Sequence, residues 1–566
     1  GSTNDYTAVN DALTSATLGH TGTSSNTTIS TLNFRGRQHN IVSATGASNE
    51  TLVMPCKEDI TIKNGSISIQ YNECVDKELM RAGVATKLQT NTSVEYRSGA
   101  HVIKVDSTTG FVVGDMVRIV GGAIHDIRSS GSNDTSYTHA AYHMANITYI
   151  TNSTTMSIDP PLPTKFVVDS LVSREGEGGS GNTAGAIQMR NVVFENMRFK
   201  DKLGKSYFLN DVNETATPLA VTLGSALVTL SAPSGHGMSQ SGGGAILLQD
   251  ADLGGDGVNH IVNNSSDVNK WMTLTSATTG TAFTSTMGAT VVGSTGSYGG
   301  SVAYVTQSRH RGIHVRNGEN IIFRDCVFEN FNGQYAVLID RCKGVSFENC
   351  TFSNCRGTSE TVSGIAESSC ILIRASVNVS IRNCTFTSCS VAVRTTGDLA
   401  DTVGGSGQRV GCRDISMSNC HVNATKIFMG DTFVYGKCEF MDCKFVGFDP
   451  NTRRGCNIRV TSHNEHRDGA ACLVGVSLGG GVEELIVHNC EFGGCVFSDN
   501  TEADGDTMDI TKFWGRGDGW TRCSYGPTGA TSNIVVNDEN VLPAWYQPLF
   551  AVVQPDSYGD KQYFRS

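Results

Sequence analysis

Two carboxylates, Asp340 and Glu348, stand close together among arginines at positions 316, 324, 374 and 382, and two more, Glu360 and Glu367, lie in the following stretch Arg356–Ser369. Hydrolysis of a glycosidic bond needs two such groups. One protonates the leaving oxygen and the other activates water or attacks the sugar, about 5–5.5 Å away for retention and about 6.5–9.5 Å for inversion. Two among Asp340, Glu348, Glu360 and Glu367 are therefore candidate acid and base. The competing reading of the same residues is a solvated charge ladder, in which Asp340 pairs with Arg316 or Arg374, and Glu348 with Arg324 or Arg382. Exposed pairs of that kind contribute at most about 1 kcal/mol each.

A second chemistry is also within reach of the composition. Arg309-His310-Arg311 with His314 and Arg316, and the run His463-Asn464-Glu465-His466-Arg467-Asp468, carry the bases and cations of a β-elimination. That reaction removes a proton beside a carboxylate and neutralises the acid with a cation. Arg316, Arg374 and His314 are candidate substrate-binding residues under either chemistry. Tyr335, Phe331, Trp514 and Trp520 are aromatic candidates for stacking on a sugar face, with core packing the favoured reading for Phe331 and Tyr335. No metal is expected: the Cys residues show no repeated zinc spacing, and Asp504-Gly505-Asp506 lacks the twelve-residue EF-hand pattern. No cofactor is expected either.

These residues must be held by something, and a repeat provides it. Phe323–Phe328, Phe347–Phe352, Ile381–Phe386, Met417–Val422, Phe440–Phe445 and Val487–Phe492 all read apolar, any residue, Asn or Asp, Cys, any residue, apolar. An upstream copy, Phe194–Phe199, places Met197 where the others have Cys. Successive cysteines in this series are 24, 34, 36, 23 and 47 residues apart. A unit of about 23 residues with variable insertions is the mark of a solenoid. Its period-2 alternation, Asn/Gly/Ser turns and small stacked residues favour an all-β, right-handed parallel β-helix, with each turn a rung about 4.8 Å from the next. The cysteines are then reduced, space-filling core residues, and the Asn before each belongs to a turn that uses left-handed geometry. Ile187–Arg190, Ile313–Arg316, Val337–Asp340 and Ile371–Arg374 alternate in the same way, so Arg190, Arg316, Asp340 and Arg374 form one outward column. Glu195, Arg324, Glu348 and Arg382 form another.

The ends and interruptions divide the chain. Residues 1–30 read as an N-terminal cap, with Val9, Ala12, Leu13 and Ala16 striping a helix over Asn4–Leu18 that closes the open end of the coil. Residues 31–200 read as the N-terminal part of the β-helix, carrying a small β-module inserted near 102–160. Residues 201–311 read as a second inserted β-domain, 312–500 as the main rungs, and 501–566 as closing rungs or a trimerisation segment.

Composition removes several functions. The formal net charge of −11 gives no basic footprint for nucleic acid. No apolar run approaches the 18–20 or so residues of a membrane span, and Gly1–Asp5 lacks the basic and apolar regions of a secretory signal. Phe, Tyr, Val and Ile recur along the whole chain, which argues against disorder.

The opening Gly1-Ser2-Thr3-Asn4-Asp5-Tyr6-Thr7-Ala8-Val9-Asn10-Asp11-Ala12-Leu13 resembles the G-x-T-D-D-T-x-A-x-x-x-A-[IL] start of pectate-lyase-like β-helix proteins, bacteriophage tailspikes among them. It departs in having Asn4 for the first Asp, and Tyr6 shifts the register of the Thr. The stretch holding His236-Gly237-Met238 and Trp271-Met272-Thr273-Leu274 is similar to small β-domains of phage tail proteins. The resemblance implies a homotrimeric tailspike, placed on the virion tail through an anchoring domain outside this stretch. Such a protein binds and endo-cleaves a bacterial surface polysaccharide, capsule or O-antigen. Hydrolysis by paired carboxylates is the leading expectation. A lyase acting on a uronate-containing glycan, or a fibre that binds its glycan without shortening it, are the alternatives.

Overall fold

The computed structural model describes residues 5–15, 31–41, 50–69, 78–83, 86–122, 138–140, 142–176, 188–202, 310–331, 333–355, 369–396, 408–430, 433–447 and 481–493, together with short strands within 207–306, 358–367, 475–476, 520–526 and 551–565. One short helix, Tyr6–Ser15, precedes a parallel sheet system wound as a coil. Among the described residues, two successive turns show three separate strands each. In one turn these are Arg311–Arg316, Gly318–Arg324 and Val327–Glu329; in the next, Tyr335–Asp340, Lys343–Glu348 and Thr351–Ser353. Every strand pairs in parallel with its counterpart one turn on: Val315 with Ile339 and Ile373, Phe323 with Phe347 and Ile381, and Phe328 with Phe352 and Phe386.

The alternation in sequence becomes burial because successive side chains of a strand point to opposite faces. Inward positions stack in columns. Phe194, Phe323 and Phe347 lie with ring centroids 4.8 and 4.9 Å apart, and Phe199, Phe328, Phe352 and Phe386 stack at 5.4, 4.8 and 4.9 Å. The cysteines are vertical neighbours too: the Cys350 amide donates to Cys384 Sγ at 3.4 Å, and the Cys384 amide to Cys420 Sγ at the same distance. Each thiol also points at a backbone carbonyl of its own or the preceding turn. Burial holds the Cys342 and Cys412 thiols up at about 12, so they stay protonated and chemically quiet.

The corners explain the Asn or Asp before each Cys. Asn64, Asn196, Asp325, Asn349, Asn383, Asn419, Asp442 and Asn489 all have φ between 50° and 56°, a region these residues tolerate best among non-glycines. Their side chains link successive turns, as from Asn196 to Asn64 at 2.9 Å and from Asn419 to Asn383 at 2.7 Å.

The helix closes the first turn. Val9 and Leu13 are buried against the coil core, and Asn10 Oδ1 accepts the Val53 amide at 3.1 Å, satisfying a donor on the strand Glu50–Met54. An antiparallel module interrupts the coil from Thr86 to Gly176. Its strands lie in the order Thr86–Asn91, Phe166–Gly176, Met116–Gly122, Tyr142–Asn152, Thr155–Asp159 and Val102–Lys104. The module is wider than the 102–160 stretch because its outer strands pair across the whole insertion. It has its own core around Ile119, Ile147 and Phe166. A second face, Met116, Val120, Tyr142 and Met144, packs on Ala375 and Val377 of the coil and on Val410, whose strand pairs with Thr138–Ala140. The strands between 207 and 306 form further antiparallel sheets. Near the C-terminal end, Trp520–Thr521 and Ser524–Gly526 continue the parallel pairing, and Ala551–Pro555 with Lys561–Arg565 form a hairpin.

The stacked phenylalanines supply a direct check. Phe352 touches a ring above and a ring below, so Phe352→Ala is expected to cost about 3–5 kcal/mol. The check is a fall in the midpoint of denaturant unfolding; an unchanged midpoint would mean that the column contributes little.

Candidate active site

The outward face of the first sheet is built by Glu78–Ala82, Arg311–Arg316, Tyr335–Asp340 and Ser369–Arg374. Register aligns Glu78 with Arg311, Arg81 with His314, and Arg316 with Asp340 and Arg374. Gly312 allows the second of these strands to run close to the third, since a Cβ there would stand 1.9 Å from the Ala336 carbonyl oxygen.

Asp340 is fully buried and surrounded by cations. Arg374 donates to it twice, Nε to Oδ1 at 2.9 Å and Nη2 to Oδ2 at 2.6 Å. Its other neighbours are His314 Nε2 at 3.3 Å, Arg316 Nε at 3.4 Å and Arg341 Nε at 3.7 Å. Burial alone would raise the Asp340 carboxyl, but the hydrogen bonds from His314 and Arg374 and the charges of Arg374 and Arg341 outweigh it. The group is held well below the ordinary carboxylate range. Glu78 mirrors it on the other side of His314: Nδ1 lies 3.3 Å from Glu78 Oε1, and the Tyr335 hydroxyl donates to the same oxygen at 2.7 Å. Arg81 and Arg311 stand 3.3 and 3.5 Å away. Burial pushes Glu78 up, and the His314 hydrogen bond and charge, the Arg311 charge and the Tyr335 hydroxyl bring it down to about 2. His314 therefore sits between two carboxylates, and both contacts are hydrogen bonds at once only when both ring nitrogens carry a proton.

The cluster extends into the inserted module. Arg341 follows Asp340 at a corner with φ 55°, a conformation that costs a residue with a Cβ on the order of 1 kcal/mol. From there its Nη1 reaches Glu175 Oε2 at 3.2 Å, and Glu175 also receives Arg118 at 2.8 Å. All three are buried. Tyr142 donates to the Ala375 carbonyl at 2.6 Å on the next turn, and Glu319 takes Arg190 and Lys343 nearby.

The sequence-derived candidates divide accordingly. Asp340, His314, Arg316, Arg374 and Tyr335 come together in one cluster. The Tyr335 ring is fully buried rather than presented to solvent, with Arg311 5.7 Å from its centre, and Phe331 lies in the core. Glu348 ends a strand of the second sheet, across the corner at Arg341 and Cys342, and is partly exposed. Arg324 Nε donates to it at 2.8 Å and Arg324 also meets Glu195 at 3.7 Å, a surface ladder of the kind the alternation suggested. Glu360 and Glu367 fall on paired strands, Thr358–Thr361 and Gly364–Glu367, with Thr358 opposite Glu367; their side chains lie outside the described residues. Trp514, the Trp520 side chain, and the run His463–Asp468 also lie outside them. Sequence reasoning missed Glu78, Arg81, Arg118, Glu175 and Arg341. Glu78 lies 236 residues from His314 and Glu175 lies 166 from Arg341, and strict alternation would have turned Arg341 inward. Among the described residues no group of His, Cys, Asp and Glu could hold a metal ion.

The Glu78 shift fixes a pH dependence. A carboxyl lowered from 4.5 to about 2 in the folded protein stabilises it fully above 4.5, and the contribution disappears as pH falls towards 2. That is worth about 3 kcal/mol. Glu78→Gln is expected to be less stable at neutral pH and to lose less on acidification from pH 5 to about 3. Parallel stability curves for the two proteins would refute this.

Residues 279–465 match the family model described as the right handed beta helix region. Comparison with curated protein sequences finds no match. Among solved structures, the chain is similar to the tailspike protein gp49 from Pseudomonas phage LKA1 at 9% identity, covering 80% of this chain and 62% of that one, with a TM-score of 0.31. It is similar to the tailspike gp61 of Pseudomonas phage phi297 at 9% identity, covering 79% and 61%, with a TM-score of 0.28. A third is the Gp54 tailspike of Acinetobacter baumannii bacteriophage AP22, solved with A. baumannii capsular saccharide, at 9% identity, 94% and 75% coverage and a TM-score of 0.29. The chain thus spans about three fifths of the length of the first two. By its turn-on-turn parallel pairing and by the family model that its central residues match, the chain has the fold of a right-handed parallel β-helix, with a short helix at its N-terminal end.

Proposed function

We propose that this chain binds and endo-cleaves a bacterial surface polysaccharide as part of a phage tailspike, with the outward face of the first sheet as its glycan site. The observation that carries this reading is the Glu78–His314–Asp340 cluster, ringed by partly exposed arginines on an otherwise regular coil. A long stacked sheet offers an extended surface suited to a polymer, and this is where its side chains depart from simple ladders. The resemblance of the opening residues to pectate-lyase-like proteins supports the same reading, along with a homotrimer joined to the tail through a preceding domain.

Hydrolysis remains the leading chemistry, with its roles redistributed. Asp340 and Glu78 are held ionised and so are unsuited to protonating a leaving oxygen at neutral pH. The acid is then sought among Glu348, Glu360 and Glu367, with Asp340 organising the arginines. Elimination is a second reading, favoured by His314 lying beside Arg316 and between two carboxylates.

Incubation with a panel of purified capsules and O-antigens, followed by sizing of the products, tests the activity: shortened chains are expected. Product absorbance in the ultraviolet separates the chemistries, because only elimination leaves an unsaturated ring. Under hydrolysis, Gln at one or two of Glu348, Glu360 and Glu367 is expected to lower turnover by about 10²–10⁴. Three fully active variants would exclude these residues.

A further inference from the structure

Glu175 belongs to the inserted module, yet it is tied to the coil by both its main chain and its side chain. The Gln188 side chain donates to the Glu175 carbonyl at 2.9 Å, and Gln188 immediately precedes the coil strand Met189–Asp201. The same side chain brackets Met116, accepting its amide at 2.7 Å and donating to its carbonyl at 2.9 Å. At the Glu175 carboxylate, Arg118 Nη2 donates to Oε1 at 2.8 Å and Arg341 Nη1 reaches Oε2 at 3.2 Å. Arg118 lies opposite Ser173, so Glu175, two positions on, shares its face. Glu175 is thus part of the joint between module and coil.

What it holds bears on Asp340. The corner's main chain is fixed by both adjoining turns: the Asn317 amide donates to the Asp340 carbonyl at 2.9 Å, and the Arg341 amide to the Arg374 carbonyl at 2.8 Å. With the backbone set, the Arg341 guanidinium lies between two carboxylates. Its Nη1 is drawn to Glu175, and its Nε stands 3.7 Å from Asp340 Oδ1, beyond hydrogen-bond length. Oδ1 is the oxygen that Arg374 Nε already bonds at 2.9 Å, as one half of a two-point grip. A full-strength bond from Arg341 to Oδ1 would compete with that grip and disturb the approach of His314 and Arg316 to Oδ2. A buried guanidinium deprived of one carboxylate gains by moving onto another within reach, because charge-assisted bonds are strong where water is excluded.

We infer that Glu175 is a positioning residue for the glycan site: by drawing Arg341 towards the module it keeps that guanidinium off Asp340, and so fixes how Asp340 holds Arg374, Arg316 and His314. The inference rests on the polysaccharide-cleaving reading above and holds for hydrolysis and elimination alike, since it concerns the arrangement of the cluster. The inserted module is then a working part of the site.

The test uses the full chain, its crystal structure, and the polymer that the panel of capsules and O-antigens shows to be shortened. In Glu175→Gln, Arg341 is expected to move to within about 3 Å of the Asp340 carboxylate. Turnover should fall about tenfold or more with little change in KM, because the reacting geometry is disturbed while the extended contact with the polymer remains. Adding Arg341→Met to the same chain removes the released cation and should restore most of the lost turnover. A merely structural Glu175 predicts the reverse, a double variant no faster than the single one. Should Glu175→Gln not fold, Glu175→Asp keeps the charge on a side chain one methylene shorter, and is expected to bring Arg341 part of the way to Asp340. Arg341 unmoved in the variant that folds, or a double variant as slow as Glu175→Gln, would overturn the inference and leave the polysaccharide reading intact. A wild-type chain that shortens no polymer would overturn that reading, and the place of Arg341 in the variant structures would still decide the inference.

Discussion

In-register stacking of one turn on the next is the constraint from which the other features follow. A parallel ladder repeats its hydrogen bonds at a fixed strand spacing, so equivalent positions of successive turns become neighbours however much chain lies between them. Phe323 and Phe347 are 24 residues apart in sequence and their rings are 4.9 Å apart; Phe194 and Phe323, 129 residues apart, are at 4.8 Å. Insertions are tolerated because they leave at the corners and return to the same register. The coil thus carries an antiparallel module between Ile69 and Met189 while Phe194 still pairs with Ile62.

The same rule that builds the apolar core builds the charged cluster. An outward column places like positions above one another, and unlike charges in adjacent turns then meet: Arg316, Asp340 and Arg374 follow directly from register. Full burial of Asp340 is sustainable only because several cations reach it, since an unpaired buried carboxylate would cost several kcal/mol or be neutralised. The arginines are thereby ordered around a fixed point. Arg341 extends the network by adopting a left-handed corner, and Glu175 receives it from a separately folded module. That arrangement couples docking of the module to the geometry of the outward face, since Tyr142 and Met144 pack on the turn that follows Asp340.

The ladders differ in consequence. Glu195, Arg324 and Glu348 on the second sheet are an exposed series whose pairs are screened by water. The first-sheet cluster has the same residue types, but its carboxylates Glu78 and Asp340 are buried, so each needs cationic partners. Alternation in sequence does not tell these two columns apart, because it assigns a side and not the degree of cover. Tyr335 illustrates the limit: the sequence left it between sugar stacking and core packing, and its ring is fully buried with the hydroxyl spent on Glu78.

By itself the sequence determined the local repeat. Asn or Asp followed by Cys between apolar residues specifies a left-handed corner and an inward thiol, and period-2 alternation specifies which side chains face the core, both being short-range steric consequences. The cap followed equally from a local stripe that buries Val9 and Leu13. Tertiary structure alone decided which distant residues share the site. Glu78 meets His314 across 236 positions and Glu175 meets Arg341 across 166, separations set by where the insertions leave and rejoin the coil. The pairing register then fixes those contacts, and neither charge pattern nor spacing along the chain encodes it.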